Sequence, residues 1–196
     1  KQYDALSFEQ VHASWQPYWP DSGMVLDIGA GSGRDALWLA QQGCQVIAVE
    51  PAADLLRLGQ LKTAEKVQWL QDSLPELKAC YQLNLQFNTI LLSAVWMHIL
   101  PSDRERAFRK ITNLLAPGGR FVLSLRFGNF SDERTAYPVT VDEIAVLARQ
   151  LEAASGSSDA VRDRAFAEWQ RQQAPRGRQP FGRPGFARRP TQVEES

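Results

Sequence analysis

The segment VLDIGAGSGRDALWLAQQGCQVIAVEP, residues 25–51, sets glycines at Gly29, Gly31 and Gly33 between an apolar run and a run of helical spacing. Glycine loses more backbone entropy on folding than any other residue, so three of them in five positions mark a turn that must pass close to something. A strand that feeds such a turn and then a helix points backbone N–H groups, and the positive end of the helix dipole, into the turn. The chain must therefore build at least one strand–turn–helix unit, and its patterning repeats that unit.

MVLDI at 24–28 has strand length and ends at the glycines, and residues 34–42 take helical spacing up to Gly43. QVIAV at 45–49 reads as a second strand, and Pro51 opens a helix over 52–62 that carries Leu55, Leu56, Leu58 and Leu61. VQWL at 67–70, a short helix at 76–83 and FNTILLS at 87–93 continue the alternation. Ser102 and Glu105 have capping-box spacing for a helix reaching Leu115, PGG at 117–119 reads as a turn, and RFVLSLR at 120–126 is a fifth strand. Thr140 and Glu143 cap a helix to about Ala154. At the other end, Ser7 and Gln10 form a capping box, with Phe8, Val11, His12 and Trp15 on one face, so a helix is expected over 7–16. Five strands apolar on both faces, separated by helices, predict an α/β domain with a parallel sheet covered on both sides. Ligands of such sheets bind at the carboxyl edge, where the glycine turn falls.

At 196 residues one domain is expected, over 1–155. Val161, Ala165 and Trp169 share a helical stripe, which predicts an extra helix within 156–174; residues 175–196, rich in Arg, Pro and Gly, read as a disordered tail. The formal charge is zero, yet residues 171–196 hold six arginines against two glutamates, so the body carries the compensating negative charge. That balance argues against nucleic acid as the partner of the body, and leaves Phe181 and Phe186 among the tail arginines as the weaker nucleic-acid reading. Cys44 and Cys80 are too few for a disulfide framework and lack neighbours at metal-ligand spacing, so no metal is expected. Without an apolar run of about 20 residues or a signal-peptide pattern, the expectation is no membrane and a reducing cytoplasm.

The dinucleotide fingerprint G-x-G-x-x-G needs glycine where Arg34 stands, which sets aside a nicotinamide-dependent oxidoreductase, and no Gly-Lys pair supplies a phosphate loop. What stands is D-x-G-x-G-x-G, and here LDIGAGSGRD resembles the first motif of the class I S-adenosylmethionine-dependent methyltransferases. The resemblance runs from residue 7 to about 150, through VEP at 49–51, QDS at 71–73, LLSAVWMH at 91–98 and LLAPGGRFVLS at 114–124. It implies a Rossmann-like, doubly wound sheet and S-adenosyl-L-methionine as cofactor. It implies that Asp27, Gly29, Ala30, Gly31, Gly33 and Arg34 form the cofactor loop, that Glu50 with Pro51 receives the ribose hydroxyls, and that Asp72 with Ser73 receives the adenine amino group. Ser93 and Ala94 would lie beside the methyl group, Arg126 and Tyr137 would face the acceptor, Trp96 would form a substrate wall or a core residue at the strand exit, and His98 would be a proton acceptor or a brace of the following helix. The Asn/Asp-Pro-Pro-aromatic motif of amino-group methylases is replaced by Ser93-Ala94-Val95-Trp96, so a small-molecule acceptor is expected. The polar stretch 126–140 is expected to act as a substrate-selecting lid.

Two departures stand out. Asn88 occupies a position where the resembled family often has Asp, and residues 151–196 offer no two apolar runs for the antiparallel pair that usually completes the sheet. The missing pair predicts a bare edge beside the fifth strand, marginal stability and self-association there. It also keeps a second reading in view, a cofactor-binding but catalytically defective or truncated relative that acts through interaction.

Overall fold

The computed structural model describes residues 6–126, 135–155 and 165–170. Six strands, β1 (Met24–Ile28), β2 (Gln45–Val49), β3 (Val67–Leu70), β4 (Phe87–Ser93), β5 (Leu115–Arg126) and β6 (Ala165–Gln170), form one sheet in the order β3-β2-β1-β4-β5-β6. Every pairing among them is parallel. The helices are α1 (Phe8–His12), α2 (Arg34–Gln41), α3 (Ala53–Thr63), α4 (Lys78–Gln82), α5 (Arg104–Asn113) and α6 (Val141–Ser155).

Burial on both faces explains the continuous apolar strands. Val25, Val46, Ala48, Leu91 and Val122 pack with Ala36 and Leu39 of α2 and with Phe8 and Trp15. Leu26, Ile28, Ile47, Val49, Ile90, Leu92 and Leu123 pack on the other side with Ala107, Phe108 and Ile111 of α5 and Ile144 of α6. The strand order reverses between β1 and β4, both of which lead into turns at the carboxyl edge. That is the crevice in which ligands of open parallel sheets sit.

The structure corrects several expectations. The Ser7–Gln10 capping box forms, but α1 ends at His12 and the chain tightens into a 3-10 segment, Ala13–Tyr18, around the buried Trp15. Phe8 of α1 stacks on Trp38 of α2 with centroids 3.9 Å apart, fastening this segment over one face. Ser102 caps nothing: Pro101–Asp103 is a separate 3-10 turn, and α5 begins at Arg104. The Pro-Gly-Gly turn lies inside β5, where the register slips between the Phe87–Leu115 and Thr89–Arg120 pairs. A Cβ on Gly119 would sit 2.8 Å from the carbonyl oxygens of Ala116 and Phe87, so the slip leaves no room for a side chain. Thr140 does cap α6, its Oγ1 accepting the Glu143 N–H at 3.1 Å.

The largest correction is at the end of the sheet. Residues 165–170, expected in a helix, form β6, which pairs with β5 from Phe121–Ala165 to Arg126–Gln170. The edge expected to be bare is thereby paired, because a row of open N–H and C=O groups on β5 outweighs the weak helical spacing of six residues. No antiparallel strand occurs among the described residues. The tail at 175–196 and most of the expected lid, 127–134, lie outside the described residues.

α3 also departs from its reading. Trp69 of β3 lies across its inner side, where a Cβ on Gly59 would overlap the indole ring, and the indole Nε1–H donates to Thr63 Oγ1 at 2.9 Å. Gly59 and Thr63 are therefore the buried residues of α3, and Leu55, Leu58 and Leu61 face outward.

Candidate functional site

The three glycines all take left-handed φ values, 75° at Gly29, 57° at Gly31 and 81° at Gly33. They serve different ends. A Cβ on Gly29 would run into the Val95 side chain, and one on Gly33 would sit 2.8 Å from Trp69 Cζ2. A Cβ on Gly31 would meet nothing within 4 Å. Packing requires two of the glycines, and the open side of the loop is at the third. Gly29 and Ala30 donate to Val49 O at 2.8 and 2.9 Å, which ties the loop to the end of β2. Glu50, 6% exposed, completes the tie: its Oε2 accepts the Gly31 N–H at 2.8 Å and its Oε1 accepts the Ala52 N–H at 3.0 Å, just ahead of α3. The loop, the end of β2 and the start of α3 thus share one carboxylate.

Gly31→Ala is expected to leave the fold standing, with a stability loss of about 1 kcal/mol from the left-handed backbone, whereas Gly29→Ala adds the collision with Val95 and should abolish cooperative unfolding. Thermal melts of the two variants check this; equal melting temperatures would contradict the division between packing and access.

Under the loop lies a buried charged network that sequence reasoning did not assemble. His12 of α1 donates from Nε2 to Asp35 Oδ2 at 2.9 Å, and Arg34 donates from Nε to Asp35 Oδ1 at 2.6 Å. Burial raises the Asp35 carboxyl, but these hydrogen bonds outweigh it and hold the group below its ordinary range. Asp27, 2% exposed, is the opposite case: its Oδ2 has no hydrogen-bond partner among the described residues. Burial pushes its carboxyl up to about 8, the Asp35 and Glu50 charges add to the rise, and His12 and Arg34 oppose it. Arg34, expected in the cofactor loop, also donates from Nη2 to Asp35 Oδ2 at 3.1 Å. Asp35 was absent from the expected site; the signal that could have found it is a carboxylate at the second position of the helix behind the loop, facing the only histidine before it.

The other expected residues divide. Asp72 accepts from Ser73 N at 2.8 Å and from Cys80 N at 3.1 Å, so it braces the start of α4. Burial, with the Asp72 carboxylate adjacent, pushes the Cys80 thiol up to about 12 and keeps it inert. Ser93 and Ala94 sit at the carboxyl end of β4, half-buried, with the Ala94 N–H donated to Ser124 Oγ at 2.9 Å and a left-handed φ of 54° at Ala94. Trp96 does not face an acceptor. It is wholly buried, edge-on to Phe108 at 6.2 Å, because the chain turns inward directly after β4. His98 donates from Nδ1 to Thr135 O at 2.8 Å, and Tyr137 donates its N–H to Met97 O at 2.8 Å. Arg104, 4% exposed, adds bonds to Ile99 O, Pro138 O and both Glu143 carboxylate oxygens. Residues 135–138 are thus strapped along 97–99, which keeps Tyr137 near the carboxyl edge. Arg126 ends β5 on that same edge.

A hollow of about 420 Å³ lined by Tyr81, Asn84, Leu85, Gln86, Asn113 and Leu114 lies at the opposite, amino-terminal ends of β4 and β5. It holds none of the groups above. No cluster of metal-ligating side chains and no helix long and apolar enough to cross a membrane occurs among the described residues.

Residues 25–119 match the model of a family described as a methyltransferase domain. An uncharacterized methyltransferase of Mycobacterium bovis is 30% identical over 123 residues, 61% of this chain and 45% of its own length. A ubiquinone/menaquinone biosynthesis C-methyltransferase of Rubrivivax gelatinosus is 27% identical over 126 residues, 61% of this chain and 47% of its own. This chain spans about half the length of the curated relatives it matches. Among solved structures, a magnesium protoporphyrin IX methyltransferase from Synechocystis PCC 6803 with bound SAM superposes with a TM-score of 0.53 at 20% identity, over 70% of this chain and 62% of that one.

Proposed function

We propose that this chain, whose residues 25–119 match the model of a methyltransferase domain, is a class I S-adenosylmethionine-dependent methyltransferase and transfers a methyl group from S-adenosyl-L-methionine to a small-molecule acceptor. The observation that carries the cofactor reading is the pairing of an open Gly31 with Glu50: Gly29 and Gly33 close against Val95 and Trp69, whereas Gly31, tied to Glu50, has open space where a side chain would stand. Each Glu50 oxygen accepts one backbone N–H and keeps a second lone pair, so the carboxylate can still receive a vicinal diol. The buried, unpartnered Asp27 oxygen beneath the loop suits a cationic ligand, whose field would compensate a charge that burial now suppresses. The residues present therefore fit the cofactor.

In this reading the loop from Gly29 to Gly33 and the start of α2 hold the ligand, Glu50 orients its sugar, and Asp72, which retains acceptor capacity on both oxygens, receives its base. The sulfonium supplies an already activated methyl group, so the protein's share is alignment and exclusion of water. Ser93 and Ala94 form the floor next to that position. His98, with its Nδ1 proton committed to Thr135 O, acts as the brace of segment 135–138. The small-molecule acceptor rests on the absence of the Pro-Pro-aromatic clamp at 93–96.

Isothermal titration of the chain with S-adenosylhomocysteine tests the cofactor reading. Saturable one-site binding in the micromolar range is expected; no heat at about 1 mM ligand, an affinity below about 4 kcal/mol, ends it.

A further inference from the structure

α1 reaches the glycine loop from outside the sheet, through a polar contact that packing does not require. Phe8 stacks on Trp38 with centroids 3.9 Å apart, Trp19 donates from Nε1 to His12 O at 3.1 Å, and Trp15 is wholly buried. Such contacts alone would seat this segment. At its centre, however, stands His12, which has no exposed surface and is bonded through Nε2 to the buried Asp35 Oδ2 at 2.9 Å. A buried carboxylate with its partner is no better for stability than well-packed apolar side chains of similar volume, and losing one partner strands the other. Stability therefore gives no reason for the pair.

The place of Asp35 in the chain supplies one. It is the second residue of α2, and the helix is entered from Gly33, a left-handed residue that offers no side-chain cap. The first turn of α2 carries the N–H groups and the positive dipole end that an anionic or polar ligand group in the loop would meet. What fixes that turn from its own side chains is the Asp35 carboxylate, whose Oδ1 takes Arg34 Nε at 2.6 Å and whose Oδ2 takes both Arg34 Nη2 at 3.1 Å and His12. Arg34 is the adjacent residue and moves with the turn. His12, 23 residues earlier, is the bond that ties the turn to a separate element.

We propose that His12 is a positioning residue for the cofactor: by holding Asp35 it sets how the end of the glycine loop and the first turn of α2 face the ligand. The inference rests on the cofactor reading above and adds to it an N-terminal segment that acts without touching the ligand.

Positioning of this kind is reciprocal: whatever factor a seated His12 adds to ligand affinity, bound ligand must return to the seating of α1. Saturating S-adenosylhomocysteine added to the full chain is therefore expected to slow hydrogen exchange at the Val11 amide, bonded to Ser7 O at 3.1 Å within α1, by about 10-fold. The Asn84 amide, bonded to Tyr81 O at 3.2 Å ahead of β4, should not change. Titration calorimetry supplies the other half. His12→Leu fills the space without a donor and should lose at least about 10-fold in affinity, whereas His12→Gln, whose amide nitrogen can stand where Nε2 stands, should bind within about 3-fold of the original chain. If His12→Leu does not melt cooperatively, exchange in the original chain decides alone, since it needs no substitution. Val11 exchange that is unmoved or slows no more than that of Asn84, a leucine variant that binds like the original, or a glutamine variant that loses as much as leucine would each overturn the proposal. A full chain that takes up no S-adenosylhomocysteine fails the cofactor reading itself, and the role of His12 with it.

Discussion

Asp27→Asn is expected to flatten the loss of stability that the chain suffers as pH rises from 5 to 8. Asp27 is buried, its Oδ2 lacks a partner among the described residues, and its carboxyl is pushed up to about 8. The unfolded chain gives up this proton near pH 4, whereas the folded chain keeps it to about 8. Between those values the folded state binds more protons, so stability falls with rising pH, at most by about 1.4 kcal/mol per unit for one group. The contribution is complete below the unfolded value and is gone once pH passes the folded one. Asp35, held low by His12 and Arg34, works the other way and loses its contribution only in acid, outside this window. Allowing half the limiting slope for relaxation and water entry, the gap between variant and original chain should grow by about 2 kcal/mol from pH 5 to pH 8, or roughly 6 °C in melting temperature. Melts of both proteins across that range give the difference directly, with all other titrations cancelling. Parallel curves would show that Asp27 carries its charge at neutral pH. A second arm concerns the ligand: a cation in the loop favours ionised Asp27, so binding should release a proton. Affinity for S-adenosylmethionine should then rise with pH up to about 8 in the original chain and stay flat in the variant.

The parts of this molecule that were legible in the sequence are those where local pattern and tertiary demand agree. The strand β1, the glycines after it and Glu50 closing β2 are contiguous or tied to strand ends, so position along the chain predicts position in space. The illegible parts are those decided by a bulky residue far away. The Trp69 ring turned the leucines of α3 outward, a fact that their spacing cannot reveal because the helical period is the same on either side. Trp96 at the exit of β4 admits both a substrate wall and a core position by sequence, and the inward turn after Val95 makes it core. Residues 165–170 hold helix-like spacing but answer the open edge of β5. The network of His12, Asp35 and Asp27 joins α1, α2 and β1, and only packing brings these together.

Replacing Glu50 should show that its two oxygens matter more than its charge. Each oxygen now faces a backbone donor, Gly31 N–H at 2.8 Å and Ala52 N–H at 3.0 Å. Glutamine keeps the shape but offers one carbonyl oxygen; whichever way the amide turns, its NH₂ opposes one of these donors. Alanine removes both acceptors without adding a conflict. Glu50→Gln is therefore expected to bind cofactor no better than Glu50→Ala, and both should lose at least about 100-fold in affinity, near 3 kcal/mol, from a buried donor left unpaired plus a diol with half its acceptor. A group that acted only as a distant negative charge would behave differently, with salt restoring much of the difference between the variants. Titration calorimetry with S-adenosylhomocysteine measures the affinities, and hydrogen exchange at the Gly31 amide reports the loop without any ligand. Glu50→Gln binding within about 3-fold of the original chain, with the Gly31 amide still protected, would mean that the loop is held by its bonds to Val49 alone.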